Sequence, residues 1–386
     1  MKPLILLLML LAATWSGMAC AAPYVPADDR QVLERLPEKA DPSLRLLRRM
    51  RSALAADPRN LELAAALARS AIEASRATGD PRYLGMAQAA LAPWWNDPHA
   101  AAPALLLRAT IRQSLHDFDG ALVDLDRVIE RTGDGQALLT RATILAVQGR
   151  YDAARADCAR LARRTSALVV ATCDAGPASL AGDADAYRRL AALLARSGDA
   201  ASVRAWSLTL AGEIAARAGY DAAAEAHFAA ARALDPQDAY LKGAYADFLL
   251  DCGRPRDVLP LVDHDVRNDA LLLRLALAER AVAGLESSYA EHAAELAARF
   301  DAARRRGDVV HRREEARYRL AIAGDPAGAL ALAKANWAVQ REPADLRVLA
   351  DAARATQDAS AQKIVDDWLS SNALHDAHLA LARSAP

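Results

Sequence analysis

Apolar and polar positions alternate along this chain with a helical period, and one block of them is written twice. Leu105-Leu106-Leu107-Arg108-Ala109-Thr110-Ile111 returns 33 residues later as Leu138-Leu139-Thr140-Arg141-Ala142-Thr143-Ile144. Behind these, Phe118-Asp119-Gly120-Ala121 returns at the same spacing as Tyr151-Asp152-Ala153-Ala154. Self-similarity at a fixed period of this size marks a repeat architecture. In the second copy the pattern predicts a helix over Gln136–Gln148, a turn at Gly149-Arg150 and a helix over Tyr151–Arg164. Ala142 and Ala154 fall where the two helices must cross closely, while Leu138, Leu145, Tyr151 and Leu161 fill the gaps. Gly149 follows the first helix, where a left-handed cap is cheapest for glycine. One such hairpin cannot bury its apolar face alone, so its neighbours must stack on it.

Arg108 and Arg141 are each followed sixteen residues later by an aspartate, Asp124 and Asp157. Two arrangements are open: an ion pair within each repeat, or independent solvated charges. If exposed, each pair would contribute only about 0–1 kcal/mol.

The repeat resembles the tetratricopeptide repeat (TPR) family. Ala109 and Ala142 match the family's small residue in the first helix. Phe118 and Tyr151 match the aromatic opening the second, and Ala121 and Ala154 match its first small residue. The chain departs from the family at Leu105 and Leu138, where a tryptophan is usual, and in lacking the closing proline in both units. The resemblance implies an all-α fold: a right-handed superhelical solenoid of about nine or ten helix-turn-helix units over residues 41–386, clearest over 102–134 and 135–167. It also implies a concave groove lined by the first helices. The family's groove positions fall on Leu106, Thr110 and Gln113, then on Leu139 and Thr143. These are apolar or neutral and suit a protein partner's peptide or helix with an apolar face. The alternative is that Leu106 and Leu139 simply pack against adjacent repeats. The lysine and asparagine clamp that some TPR proteins use for C-terminal carboxylates is absent.

Outside the two clear copies the pattern is looser. Helices are expected over Asp41–Ala55, Leu61–Ala77 and Tyr83–Leu91, with breaks at Asp57-Pro58 and Gly79-Asp80-Pro81. Trp94-Trp95, bounded by Pro93 and Pro98, reads as an aromatic plug at a helix end. Gly176-Pro177 predicts a kink or shortening of the helix over Leu168–Leu180. Further pairs follow down to Ala359–Ser371, with Ala373–Arg383 as a capping helix.

Charge adds little to this picture, because 48 basic residues face 49 acidic ones. That balance gives no global pull toward nucleic acid or an anionic membrane. The N-terminus changes it more. Lys2, the apolar run Leu4–Ala13 and Ala19-Cys20-Ala21 read as a cleavable signal peptide over 1–21, with an extended lead-in over 22–40. The expected location is the periplasm; lipidation of Cys20, giving an outer-membrane lipoprotein, is the alternative. No later stretch is long and apolar enough to span a membrane. Export permits a disulfide, and Cys158 and Cys173, on adjacent helices, are the candidate pair.

No catalytic, metal or cofactor motif stands out, so the expectation is a non-enzyme without cofactor. Asp263-His264-Asp265 has no partnered nucleophile, and His375 and His378 have no evident third ligand. The densest charge run is Arg299–Arg319, offset by Asp301, Asp308, Glu314 and Glu315. It is either a solvated face or, through Arg305, Arg306, Arg312 and Arg313, a basic shelf for an acidic peptide or an anionic envelope polymer. The leading reading is an exported scaffold that binds an envelope protein in its groove. The alternative is an accessory factor that binds or helps assemble an envelope polysaccharide.

Overall fold

The computed structural model describes residues 42–308 and 310–379. The expected signal peptide, Cys20 and the lead-in lie outside the described residues, as do the last four residues, 380–383, of the expected capping helix. Two units are distinguished, 1–45 and 46–386. Of the first, only 42–45 are described, and they open helix α1 (Pro42–Ala56).

The second unit is built from helix pairs. These are α2 (Leu61–Thr78) with α3 (Arg82–Ala90), α4 (Ala102–Ser114) with α5 (Phe118–Thr132), and α6 (Gly135–Val147) with α7 (Tyr151–Arg160). Then come α8 (Ala167–Leu180) with α9 (Ala186–Leu194), α10 (Ala201–Arg217) with α11 (Asp221–Leu234), and α12 (Ala239–Asp251) with α13 (Pro255–Val262). The last are α14 (Asp269–Arg280) with α15 (Glu286–Arg305), α16 (Arg312–Tyr318) with α17 (Pro326–Trp337), and α18 (Pro343–Thr356) with α19 (Ala359–Ser371). Among the described residues this makes nine hairpins. Each first helix also packs on the next first helix, from α2 through α18, so these helices share one face of the array. The fold is an all-α, TPR-like solenoid.

Local chemistry sets the hairpin boundaries. Side chains of Asn60, Asp117, Asp134, Ser166, Asp238, Asn268, Asp325 and Asp358 accept from backbone N–H groups of the helices they precede. Such caps satisfy donors that no carbonyl within the helix can reach. In every hairpin the turn between the two helices holds one left-handed residue. It is glycine in seven, but His116 in the second hairpin and Gln357 in the last. Within α10, a side chain at Gly212 would meet the Phe228 ring of α11 at 2.9 Å, so glycine lets these helices close up. The core runs along the array in four apolar clusters. A linear core frees a chain of this length from the limit on a single compact core.

The two copied ion pairs form within their repeats, and one is fully buried. Arg108 donates to Asp124 through Nε at 2.8 Å and Nη2 at 2.6 Å, and its third nitrogen reaches the carbonyls of Trp94, Trp95 and Asp97. It therefore ties the end of the first hairpin to the second. Trp94 and Trp95 are both half-buried, and Trp94 packs against the clusters on either side of it. Arg141 makes the same fork on Asp157, with both bonds at 2.6 Å, and also reaches Asp126. Cys158 and Cys173 are disulfide-bonded and link α7 to α8. The expected shortening at Gly176-Pro177 does not occur: α8 runs on to Leu180. Pro177 sits in the last turn, where its missing N–H removes one hydrogen bond and few carbonyls remain to be disturbed.

Candidate ligand-binding lumen

The array closes on itself. The turn at Gly79 in the first hairpin lies against Asn268, just before α14. The last hairpin then runs along the edge made by earlier turns. Gln340 hydrogen-bonds His116 at 3.1 Å, and the N–H of Arg341 donates to the carbonyl of Val147 at 2.7 Å. Trp368 covers Gly149, Ala373 covers Gly182, and Ala377 lies over Gly219. Arg347 forks onto Asp251 at 2.6 and 2.8 Å. The C-terminal hairpins thus cover one rim of the groove formed by the earlier repeats.

Their charged side chains also reach into it. Arg317 pairs with Asp247 at 2.6 Å, and Arg274 meets the same carboxylate at 2.5 Å. Burial works against the Asp247 charge, but these two guanidinium groups outweigh it and hold its carboxyl well below the usual range. Arg313 lies among Glu314, Glu342 and Asp345 at 3.2, 3.0 and 3.4 Å. Burial alone would raise Glu314; Arg313, helped by Arg274, brings it down to about 2. Asp345 is pushed upward by burial, against the pull of Arg313.

Between these elements lies a cavity of about 380 Å³. Its walls come from α6, α8, α10, α12 and α14 on one side and from Arg313, Glu314 and Glu342–Ala344 on the other. Tyr240, 61 % exposed, lines this cavity. Its hydroxyl donates to Glu213 at 2.7 Å. Burial pushes the Glu213 carboxyl up to about 7, against the hydrogen bond from Tyr240. Arg217, one helical turn on, donates to the Ser179 hydroxyl at 2.8 Å. A neighbouring cavity of about 330 Å³ shares Asp247, Arg274, Arg313 and Glu314.

A separate cleft of about 520 Å³ opens on the first three hairpins. Ile72, Leu106, Leu107 and Thr110 line it, with Arg69, Glu73, Arg76 and Gln136 among its polar residues. All of its lining residues come from hairpins one to three. The expected groove positions are therefore divided. Leu106 and Thr110 share this cleft, whereas Thr143, itself exposed, lines the lumen. Leu106 and Leu139 are both half-buried and pack on the core of hairpins two and three, as the packing alternative requires, and Leu106 also borders the cleft. Gln113 is half-buried and lines neither space.

The arginine run does not assemble into one basic shelf. Arg305 points outward and pairs with Asp301 at 2.6 Å, and Arg306 is exposed beside it. Arg312 reaches the Ala335 carbonyl at 3.5 Å, while Arg313 turns inward to its three carboxylates. The physical reason is the chain reversal after α15, which puts the two halves of the run on different helices. His264 is fully on the surface, and Asp265 is taken by Lys242 at 2.7 Å. His375 is exposed, while His378 is half-buried and faces Asp251. Among the described residues no three metal-ligating side chains come together, and no helix is long and apolar enough to cross a membrane.

The chain is TPR-like. Among solved structures it is similar to the TPR domain of P58(IPK), at 16 % identity over 83 % of this chain and 99 % of that one, with a TM-score of 0.24. The assignment rests on this chain's own hairpins and their stacking. No protein-family model and no curated protein matches it. The residues that sequence reasoning missed are those of the lumen: Glu213, Arg217, Tyr240, Asp247 and Arg274. Their one sequence signal is charge on first helices that otherwise read as core.

Proposed function

We propose that this protein is an exported scaffold that holds a segment of an envelope protein in the cleft of its first three hairpins. A stack of helical hairpins presents an extended concave surface, which supports a protein-interaction scaffold in general. The observation that carries the finer reading is the division of that surface. The C-terminal hairpins line one side of the lumen that begins at hairpin three, whereas the cleft lined by Ile72, Leu106 and Thr110 is bounded only by hairpins one to three. Its apolar floor suits the apolar face of a peptide or helix, and Arg69, Glu73 and Arg76 would order its polar side.

Export is supported by the n-region, apolar run and small-residue site at the N-terminus. The Cys158–Cys173 bond adds to it, since disulfides persist in oxidising compartments. Periplasmic residence follows from cleavage after Ala21; lipidation at Cys20 would tether the same chain to a membrane.

Affinity capture from intact cells tests this reading. The tagged chain should retain one envelope protein in high salt and lose it in Leu106→Asp, with folding checked by circular dichroism. Capture that survives Leu106→Asp, or a chain that remains in the cytoplasm, would refute it.

A further inference from the structure

The seam that closes the array carries one hydrogen bond whose direction is fixed. Gln340 presents its amide nitrogen to Nδ1 of His116 at 3.1 Å, so Nδ1 accepts and carries no proton. The residues behind Gln340 hold it that way round. The same amide nitrogen donates to the Asn336 side-chain oxygen at 3.4 Å, and the Asn336 nitrogen donates to the Asp345 carboxylate at 2.8 Å. A carboxylate only accepts, so Asp345 orients Asn336, and Asn336 orients Gln340. Turned over, Gln340 would face the Asn336 oxygen with its own. Asn336, Gln340 and Asp345 are all buried, so their orientations are set by one another rather than by water.

His116 is held from its own side as well. Its backbone is left-handed, and its ring stacks on Phe118 at 5.5 Å. Next to Gln340, Val339 packs on the core of hairpins two and three, and the N–H of Arg341 donates to the Val147 carbonyl at 2.7 Å. The loop 338–342, between α17 and α18, thus crosses the seam as a strap with Gln340 at its centre.

We propose that this strap is an acid-released latch: a proton on His116 Nδ1 sets two donors face to face and parts loop 338–342 from hairpins two and three. Burial holds the His116 ring below its ordinary value of 6.5; Arg313 and His311 act in the same direction, and Glu314 and Asp345 oppose them. In its own turn, Asp117 pairs with Arg112 at 3.4 Å. Asp345 takes its bonds from Asn336, Arg313 and the N–H of Glu342, all within the C-terminal hairpins, so it keeps them when the strap parts. Parting returns the His116 ring to water and to its ordinary value. Below pH 6.5 the closed seam therefore binds fewer protons than the parted one. Closure is at full strength above that value and weakens as pH falls below it. At pH 5 the parted state gains at most about thirtyfold. That frees the strap, while Arg347–Asp251 and Arg317–Asp247 still hold the hairpins in place. The latch works, or fails, independently of what the cleft of hairpins one to three receives.

Hydrogen exchange of the full folded chain at pH 7 and pH 5 tests it, read by mass spectrometry over 338–342 and corrected for the intrinsic pH dependence of exchange. Protection of the strap should fall by about tenfold on acidification, while α4 and α14 keep theirs. His116→Asn tolerates the left-handed backbone and keeps an acceptor for Gln340 but takes up no proton. Its strap should stay protected at both pH values. His116→Gly, with the residue that seven other turns use, removes the acceptor, so its strap should exchange fast and equally at both. His264→Asn, on the outer surface, should behave as wild type. An acid loss of protection below about twofold, one that persists in His116→Asn, or one shared equally by α4 and α14 would overturn the proposal.

Discussion

Replacing Asp124 with asparagine tests how far burial governs this solenoid. Asp124 is completely buried and takes two bonds from Arg108 and one from Arg112. Arg108 is itself only 3 % exposed. Removing one member of a buried pair leaves the other charge uncompensated, at a cost of about 3–5 kcal/mol. Three backbone carbonyls still accept from the remaining Arg108 nitrogen, and the asparagine oxygen keeps one acceptor in place. We therefore place Asp124→Asn near the lower limit, at about 3 kcal/mol. The copy 33 residues on is an internal control. Its arginine side chain is 19 % exposed and also reaches an exposed Asp126, so Asp157→Asn should cost about 1–2 kcal/mol. Urea unfolding followed by circular dichroism reads both, with midpoints compared at fixed slope. Substituting Arg108→Met and Asp124→Leu together should recover part of the loss, because no orphan charge remains. Equal losses in the two single variants, or a loss under about 0.5 kcal/mol at Asp124, would refute the claim that burial sets the worth of these pairs.

Three other outcomes follow from the same structure. Cys158→Ala with Cys173→Ala opens a loop of sequence separation 15, which should lower stability by about 2–3 kcal/mol and abolish any effect of reductant on the unfolding midpoint. Gly149→Ala puts a β-carbon about 2.4 Å from the Trp368 ring at a φ of +76°, and should cost about 2 kcal/mol and speed hydrogen exchange in α18 and α19. The Glu213 carboxyl is raised from 4.5 to about 7, so the folded chain keeps a proton that the unfolded chain releases. Its stabilising contribution is full below pH 4.5 and declines as pH rises toward 7. Glu213→Gln should gain on wild type across that window by about 1–2 kcal/mol, less than the full shift because the side chain borders lumen water, and parallel unfolding curves at every pH would contradict it.

What the sequence reveals is what repeats locally. The period of 33 exposes the hairpins, and the interval of sixteen between Arg108 and Asp124 is the distance from one helix face across a turn to its partner. The capping residues are legible for the same reason. The covering of the groove is not, because it joins residues as far apart as His116 and Gln340, 224 positions from each other. Only the curvature accumulated over several hairpins brings them together. His116 shows the same limit. It occupies a left-handed position that glycine fills in seven other turns, and it stacks on Phe118 while bonding Gln340. The arginine run misleads because linear charge density ignores chain reversal: Arg305 ends one helix facing solvent, while Arg313 starts the next facing carboxylates.

The central claim is that the cleft of hairpins one to three receives a protein segment while the C-terminal hairpins line the rest of the concave face. Site-specific photo-crosslinking in intact cells tests it most directly, with the reactive residue placed in turn at Thr110 in the cleft, at Thr143 in the covered lumen and at Val123 on the exposed face of α5. The account predicts one discrete protein adduct from Thr110 and none from Thr143 or Val123. Adducts of equal yield at Val123, or an adduct at Thr143 with none at Thr110, would contradict it.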